Sequence, residues 1–451
     1  MFFYCSMPYD APHPPNEIAL QHERKYMVFK SALEKLFTSC SSCGCVVKAI
    51  FLENGTCVNI SQLCSECGYH REWSSQPKIH QTPVGNLLLS AATLFTGCLV
   101  GQTMQFLDAL NLARILESTF FKHQKDYLHA TVENVFSKEQ QDIINQVKIA
   151  NLNLNLAGDG RSDSPGQSAK YGAYSVLECQ INKVLDIQIV QNGLIIKSLT
   201  TDRHTSVSKF IRTEKNYIRH FYDIWHVAKG LKKKLDHISL KQGGELVNSW
   251  KKSIINHLYW CAVSTADGNG DLMLAKWQSI LNHLVNQHTG HPNLLFPSCL
   301  HGSEYSTENI DWFEPGTDDY ESVCKILDHC KLEKDIKKLS PIHQTAALES
   351  FHSLVIKFAP KHTAFSYLGM RSRLHIAAMH YNENCGEETD DTDEKGNVRC
   401  SIIFPKYKKG DYSIKKQKKS PTQVYVHRLL NYMFDEFGKD PKELTKSLTE
   451  Y

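Results

Sequence analysis

The chain has 451 residues, 41% of them hydrophobic and 22% charged, with a formal net charge of +3. This balance is that of a soluble globular protein with one large or two to three ordinary domains. No apolar run reaches the roughly 18 residues of a membrane span, so no membrane partner is expected, and the small net charge argues neither for nor against nucleic acid.

The N-terminal tail, residues 1–36, begins MFFYCSMPYDAPHPP. It lacks a basic stretch followed by an apolar core and a cleavage site, so secretion is not expected. Fifteen cysteines in an intracellular chain then speak for thiols and metal ligands rather than disulfides. Residues 37–75 contain Cys40 and Cys43 in one C-x-x-C and Cys64 and Cys67 in another, with a hairpin-like stretch turning at Glu53-Asn54-Gly55 between them. Four thiolates at this separation close a tetrahedral structural zinc site, although buried free cysteines would give the same composition. Cys45, Cys57 and His70 are spare donors. Such a ribbon is a staple or a partner surface, since no coordination position is left open.

Residues 76–150 read as a helical block, because VGNLLLSAATLF and MQFLDALNLARIL repeat apolar residues every three or four positions. Strands follow. LNLNLAGDG alternates Leu152, Leu154 and Leu156 with asparagines and ends in Asp159; AKYGAYSVLECQ, KVLDIQIV and LIIKSLTTD come next, the last ending in Asp202. Aspartates that end strands can gather at one sheet edge, where carboxylates hold Mg²⁺ or Mn²⁺, yet aspartate is also common in turns. Between KVLDIQIV and LIIKSLTTD stands Asn192-Gly193, the strongest short signal for a tight hairpin. A mostly helical stretch, residues 203–348, contains His283, His288, His291, Cys299 and His301. His288, His291, Cys299 and His301 are the expected ligands of a second zinc, against the alternative of ordinary loop histidines. Residues 385–421 are acidic, then lysine-rich, and read as a disordered segment whose basic part suits nuclear localisation or phosphate contact. The final segment, 422–451, contains one amphipathic helix, VHRLLNYMFDEF.

The motifs DGRSDSPG, AKYGAY, TTDRH, FYDIWHVAKGLKKKL, KKSIINHLYWCA, LESFHSL, FAPK and GMRSRLHIAAMHYNEN occur in this order. Together they resemble the DDE transposases of eukaryotic cut-and-paste elements, closest to the Kolobok-like group, from the cysteine pairs to about Lys409. The resemblance implies an α/β (mixed α+β) fold: an RNase H-like sheet over 151–384 with a helical insertion at about 227–340. It also implies DNA cleavage and strand transfer by two divalent ions. Carried over residue by residue, it makes Asp159 the first acid, with Asp163 as fallback, Asp202 the second and Glu349 the third. Asp223 and His226 resemble the family's D-x-x-H signature; three apart on a helix they share a face, as a capping or core polar pair also would. Expected partners are DNA and a second copy of the chain, with no small-molecule cofactor.

Two departures from that family bear on activity. In the RNase H-like arrangement the third and fourth strands are parallel, with the first and second between them, and the resemblance implies a crossover helix there. Only Gln191-Asn192-Gly193 is available between full-length strands, a reach of about 10 Å. The chain therefore reads as a decayed or domesticated copy, with two outcomes open. Either a hairpin puts Asp159 and Asp202 at opposite ends of the sheet, or the third strand shortens and the two aspartates stay neighbours. The second is expected, because LIIKSLT is apolar enough for a central strand. No THAP-type zinc finger stands before Cys40 either, so recognition of the element's ends is not expected.

Overall fold

The computed structural model describes residues 19–150, 154–163, 171–185, 196–241, 244–301, 310–341, 345–385, 390–405, 410–437 and 445. The chain divides into two compact units. The first is Met1–Glu139, Lys357–Glu383 and Ser420–Tyr451; the second is Gln140–Ile356 and Asn384–Lys419. Residues 357–383, expected as the end of the 151–384 block, thus cluster with the first unit. No helix of the described residues is long and apolar enough to cross a membrane.

The first unit opens with a short helix α1 (Lys30–Glu34) and a three-stranded antiparallel sheet of β1 (Ala49–Asn54), β2 (Cys57–Leu63) and β3 (His70–Ser74). Gly55, at φ +63°, makes the tight turn between β1 and β2, a conformation glycine adopts without strain. Strands β4 (Lys78–Ile79) and β5 (Thr82–Pro83) pair briefly and lead into α2 (Val84–Phe95). The buried Asn86 of α2 accepts a hydrogen bond from Thr56 N (2.7 Å) and donates to Asn54 O (3.0 Å), which ties the hairpin turn to the helix. Helices α3 (Val100–Ala109), α4 (Glu117–His123) and α5 (His129–Ile149) complete the expected block.

The second unit is built on five strands: β6 (Leu154–Ser162), β7 (Gly172–Glu178), β8 (Lys183–Leu185), β9 (Ile196–Thr201) and β10 (Arg219–Tyr222). Their order across the sheet is β10-β9-β6-β7-β8; only β7 runs against the other four. Leu154, Leu156, Val176, Leu185 and Ile196 form the core of one face with Val147 from the end of α5. The fifth strand, β10, was not among the expected elements.

The hairpin reading of Asn192-Gly193 is overturned. That dipeptide lies outside the described residues, but a two-residue turn would make β8 and β9 adjacent and antiparallel. They are instead parallel, with β6 and β7 between them. Among the described residues β8 spans Lys183–Leu185, and ten residues, 186–195, lie between it and β9. Ten residues reach about 33 Å, more than enough to cross three strand spacings of about 4.8 Å and run back along a short strand. Burial of the apolar β9 beside β6 outweighs the preference of one turn.

After β10 the chain is helical: α6 (Thr205–Glu214) precedes that strand, and α7 (Ile224–Ser239), α8 (Glu245–Val263), α9 (Gly270–His283), α10 (Asp318–Leu327) and α11 (Cys330–Ile336) follow it. Leu231, Leu235, Leu258, Trp277, Val323 and Ile336 belong to one apolar core between these helices. Side-chain caps start several of them: Asp223 for α7, Asn269 for α9, Thr317 for α10 and His329 for α11. Helix α12 (Ala346–Phe358) carries the LESFHSL motif.

The chain then returns to the first unit with α13 (Tyr367–Asn384), whose buried Arg373 donates to Gly97 O (3.1 Å), Cys98 O (3.0 Å) and Phe358 O (2.7 Å). The acidic and basic runs expected to be disordered form, over their described residues, a hairpin of β11 (Cys400–Ile403) and β12 (Ser413–Lys416). The charges explain the order: Asp390 pairs with Lys416 (3.0 Å) and Lys418 (2.5 Å), so the two runs neutralise each other across the hairpin. Helix α14 (Val424–Phe437) closes the first unit, its first turn held by the Glu383 carboxylate accepting from Val424 N (2.8 Å) and Tyr425 N (2.7 Å).

Candidate functional site

Three groups of side chains have chemistry to offer. In the first unit, the turns after Ser39 and Leu63 each bend a C-x-x-C back on itself, with Gly44 N donating to Cys40 O (3.0 Å) and Gly68 N to Cys64 O (2.9 Å). Cys40, Cys43, Cys64 and Cys67 therefore converge, their sulfurs all within 4.8 Å of one another. Cys40–Cys67 and Cys43–Cys64 are each 3.6 Å apart. Zn–S bonds of about 2.3 Å at tetrahedral angles require sulfurs about 3.8 Å apart, so the four could bind zinc. Backbone N–H groups of Cys43 and Ser42, aimed at the Cys40 sulfur, lower that thiol to about 6, while, against the pull of the Cys45 N–H, the Cys67 and Cys64 thiols raise Cys43, so the cysteines share their protons unevenly. Of the spare donors, Cys57 and His70 stand outside, Cys57 Sγ contacting Ser74 Oγ (3.4 Å) and His70 Nε2 contacting Ser61 Oγ (3.1 Å), whereas Cys45 packs against the cluster.

The second group lies in the second unit. His283, His288, Cys299 and His301 bring their donor atoms within 4.8 Å of one another. The expected set had His291 in place of His283, and this is corrected: His283, the last residue of α9, occupies the fourth position. His291 stands behind the thiol, its Nε2 3.4 Å from Cys299 Sγ and its ring stacked on Phe296. Sequence spacing hid His283 because it is the last residue of a helix, five residues before His288, the first of the loop's ligands. Burial and then the neighbouring imidazoles hold His283 down to about 4, so it is neutral and available as a ligand at pH 7.

The third group is at the sheet edge. In the β6–β9 register Gly158 lies beside Thr201, which puts Asp159 next to Asp202 one residue beyond the last pair. Four pairs lower in the same register, Ser198 Oγ donates to Asn155 Oδ1 (2.8 Å). Asp163 is four residues further along, about 13 Å at strand rise, so Asp159 and not the fallback neighbours Asp202. Gly160 N donates to Asp159 Oδ1 (2.8 Å) and His204 N to Asp202 Oδ1 (3.2 Å). From α12, His352 places Nδ1 3.4 Å from Asp159 Oδ2, and Glu349, exposed, stands one turn earlier on the same helix. Asp159, Asp202 and Glu349 do not make up a close cluster of the kind formed by the other two groups.

Asp223 and His226 have the structural role that a capping pair predicts. Asp223 is 1% exposed; its Oδ1 accepts from Trp225 N (3.1 Å), its Oδ2 accepts from Thr345 Oγ1, and His226 Nε2 is 4.0 Å away. Two residues that sequence reasoning missed stand close to the aspartates. One is His352. The other is Tyr174, which packs under Gly158 from the opposite face, its hydroxyl 2.6 Å from where a Cβ at that glycine would be. Its phenol is pushed well above its usual range by burial first and then by Asp202 and Asp159, and its hydroxyl is buried with no hydrogen-bond partner among the described residues. The signal available in the sequence was GAY within the second strand, where a large polar ring faces two glycines across the pair.

No protein-family model matches the chain, and no curated protein or solved structure is significantly similar to it.

Proposed function

We propose that the chain is a transposase-derived nuclear protein whose second unit has an RNase H-like sheet and cleaves and transfers DNA strands by two-metal phosphodiester chemistry. The carrying observation is the register of the adjacent parallel strands β6 and β9, whose last pair, Gly158 and Thr201, immediately precedes Asp159 and Asp202, with α12 bringing His352 to Asp159 and Glu349 one turn from His352. The sheet order, with third and fourth strands parallel on either side of the first and second, supports the same reading. The oxygen donors of Asp159, Asp202 and Glu349 are those that Mg²⁺ or Mn²⁺ prefers. When bound, such ions would activate the attacking oxygen and stabilise the leaving one. The protein's own part is to hold Asp159 and Asp202 side by side on a rigid sheet edge. The test is nicking of supercoiled DNA with Mg²⁺ or Mn²⁺: Asp202→Asn should abolish it, at least about 10³-fold, while leaving the fold intact. Equal nicking by Asp202→Asn would end the proposal.

A second reading is favoured by the contact of His352 with Asp159 and by the exposure of Glu349. Here the acids are vestigial, and the protein is a non-catalytic module that binds DNA or protein through its cysteine ribbon and basic hairpin. Absence of any metal-dependent nicking, together with salt-sensitive DNA binding, would select it.

A further inference from the structure

We propose that the helical insertion of the second unit is stapled by its own structural zinc ion, held by His283, His288, Cys299 and His301, with His291 as the outer partner of the thiolate. This is independent of the nucleic-acid chemistry proposed above.

The backbone builds the site. Residues 284–301 run for eighteen positions without a helix or a strand longer than one isolated bridge, a length at which a loop needs something to hold it. Thr289 and Ser298 form that bridge, Cys299 N donates to His288 O (2.9 Å), and His291 N donates to Pro297 O (3.1 Å). These contacts face His288 towards Cys299. Apolar packing holds the loop at Leu284 and Phe296, while Leu294, Leu295 and Leu300, nearer its ligand-bearing end, are 91%, 57% and 74% exposed.

The geometry fits a tetrahedral ion. Cys299 Sγ lies 3.7 Å from His283 Nδ1, and bonds of about 2.3 Å to sulfur and 2.0–2.1 Å to nitrogen put such a pair about 3.6 Å apart. The His283, His288 and His301 rings meet edge to face, with centroids 4.6–5.6 Å apart and interplanar angles of 70–82°, so their nitrogens can approach a common point without stacking. Trp312 walls the cluster, 5.8 Å from His283 and 5.9 Å from His288.

The surroundings also resemble a metal site's outer layer. His288 Nε2 is 3.0 Å from Asn286 Oδ1, which leaves Nδ1 as its ligating atom and fixes the ring, as outer partners of metal-bound histidines do. His291 is a fifth donor in a site that needs four. Stacked on Phe296 with its Nε2 3.4 Å from the sulfur, it is placed to donate an N–H to the thiolate.

The unaltered full-length protein tests this first, through zinc content and zinc X-ray absorption. Two ions per chain, with five sulfur and three nitrogen donors shared between them, are expected. One ion per chain with sulfur donors alone would overturn the proposal. Variants then assign the ions. Cys64→Ser should leave one ion, whose cobalt form has about a quarter of the sulfur-to-metal charge-transfer intensity of a four-thiolate site. His301→Ala should leave the ribbon's ion alone; retention of two ions would overturn the assignment. His291→Ala should keep both ions but weaken the second by about 10- to 100-fold, and unchanged affinity would remove His291 from the site.

Discussion

The four-cysteine ribbon of the first unit and the three-histidine, one-cysteine cluster of the second are built in opposite ways. In the ribbon each pair of donors is three residues apart, so two local turns place all four sulfurs. In the insertion the donors come from the end of α9 and from a loop reaching to His301, and backbone pairing within that loop brings them together. The ribbon's own core is small: Cys40, Cys64 and Val47 form one cluster, and Phe37 and Ile60 are buried beside it, with Phe37 packed on Trp73. The insertion rests on a large apolar cluster through α7, α8 and α9. The same kind of ion would thus have to fold one region and merely pin the other.

The largest effect that could break this comparison is loss of a ribbon ligand. Cys64→Ser should abolish hydrogen-exchange protection over residues 37–75 altogether and leave protection in α8 and α9 unchanged. A ribbon that stayed protected would mean that its small core suffices. Chelation at neutral pH should do the same, whereas the insertion should be loosened by Leu258→Ala. Leu258 is fully buried, and its truncation should cost about 2–5 kcal/mol in denaturant unfolding of the second unit.

Acid sharpens the difference between the units. Burial holds His220 and His257 of the second unit, and His129 of the first, at about 4. Their folded values are depressed below about 6.5, so the unfolded chain takes up protons first as pH falls. The stability is complete above pH 6.5 and is lost between there and about 4. Between pH 7 and pH 5 the deeply buried His257 should cost about 2 kcal/mol and the more solvated His220 less, so unfolding monitored separately in the two units should show a larger acid loss in the second. Equal losses would mean that these rings are solvated. The smallest effect is expected at Tyr174→Phe, which removes a buried hydroxyl without a partner; stability of the second unit should stay the same or rise by about 1 kcal/mol. A loss would reveal a bond to that hydroxyl.

Legibility followed the range of the contacts. The two C-x-x-C pairs, the helical block and the strand ending in Asp159 could be read directly, because turn geometry and side-chain periodicity are local. The parallel pairing of β9 with β6 was readable only by weighing buried area against one turn. The turn signal at Asn192-Gly193 pointed the wrong way, since pairing with β6 fixes β9 and the turn does not. The acidic and lysine-rich runs looked disordered one at a time and become a hairpin only when Asp390 meets Lys416 and Lys418.

By itself, then, the sequence determined the four cysteines that converge in the ribbon, the apolar faces of the helices and the aspartates at two strand ends, all consequences of spacings shorter than one element. Only the tertiary structure decided that His283 and not His291 joins the second cluster, that β10 adds a fifth strand, and that His352 reaches Asp159. These depend on which distant segments pack together, and that is set by the summed burial of many side chains, which no short stretch of sequence contains.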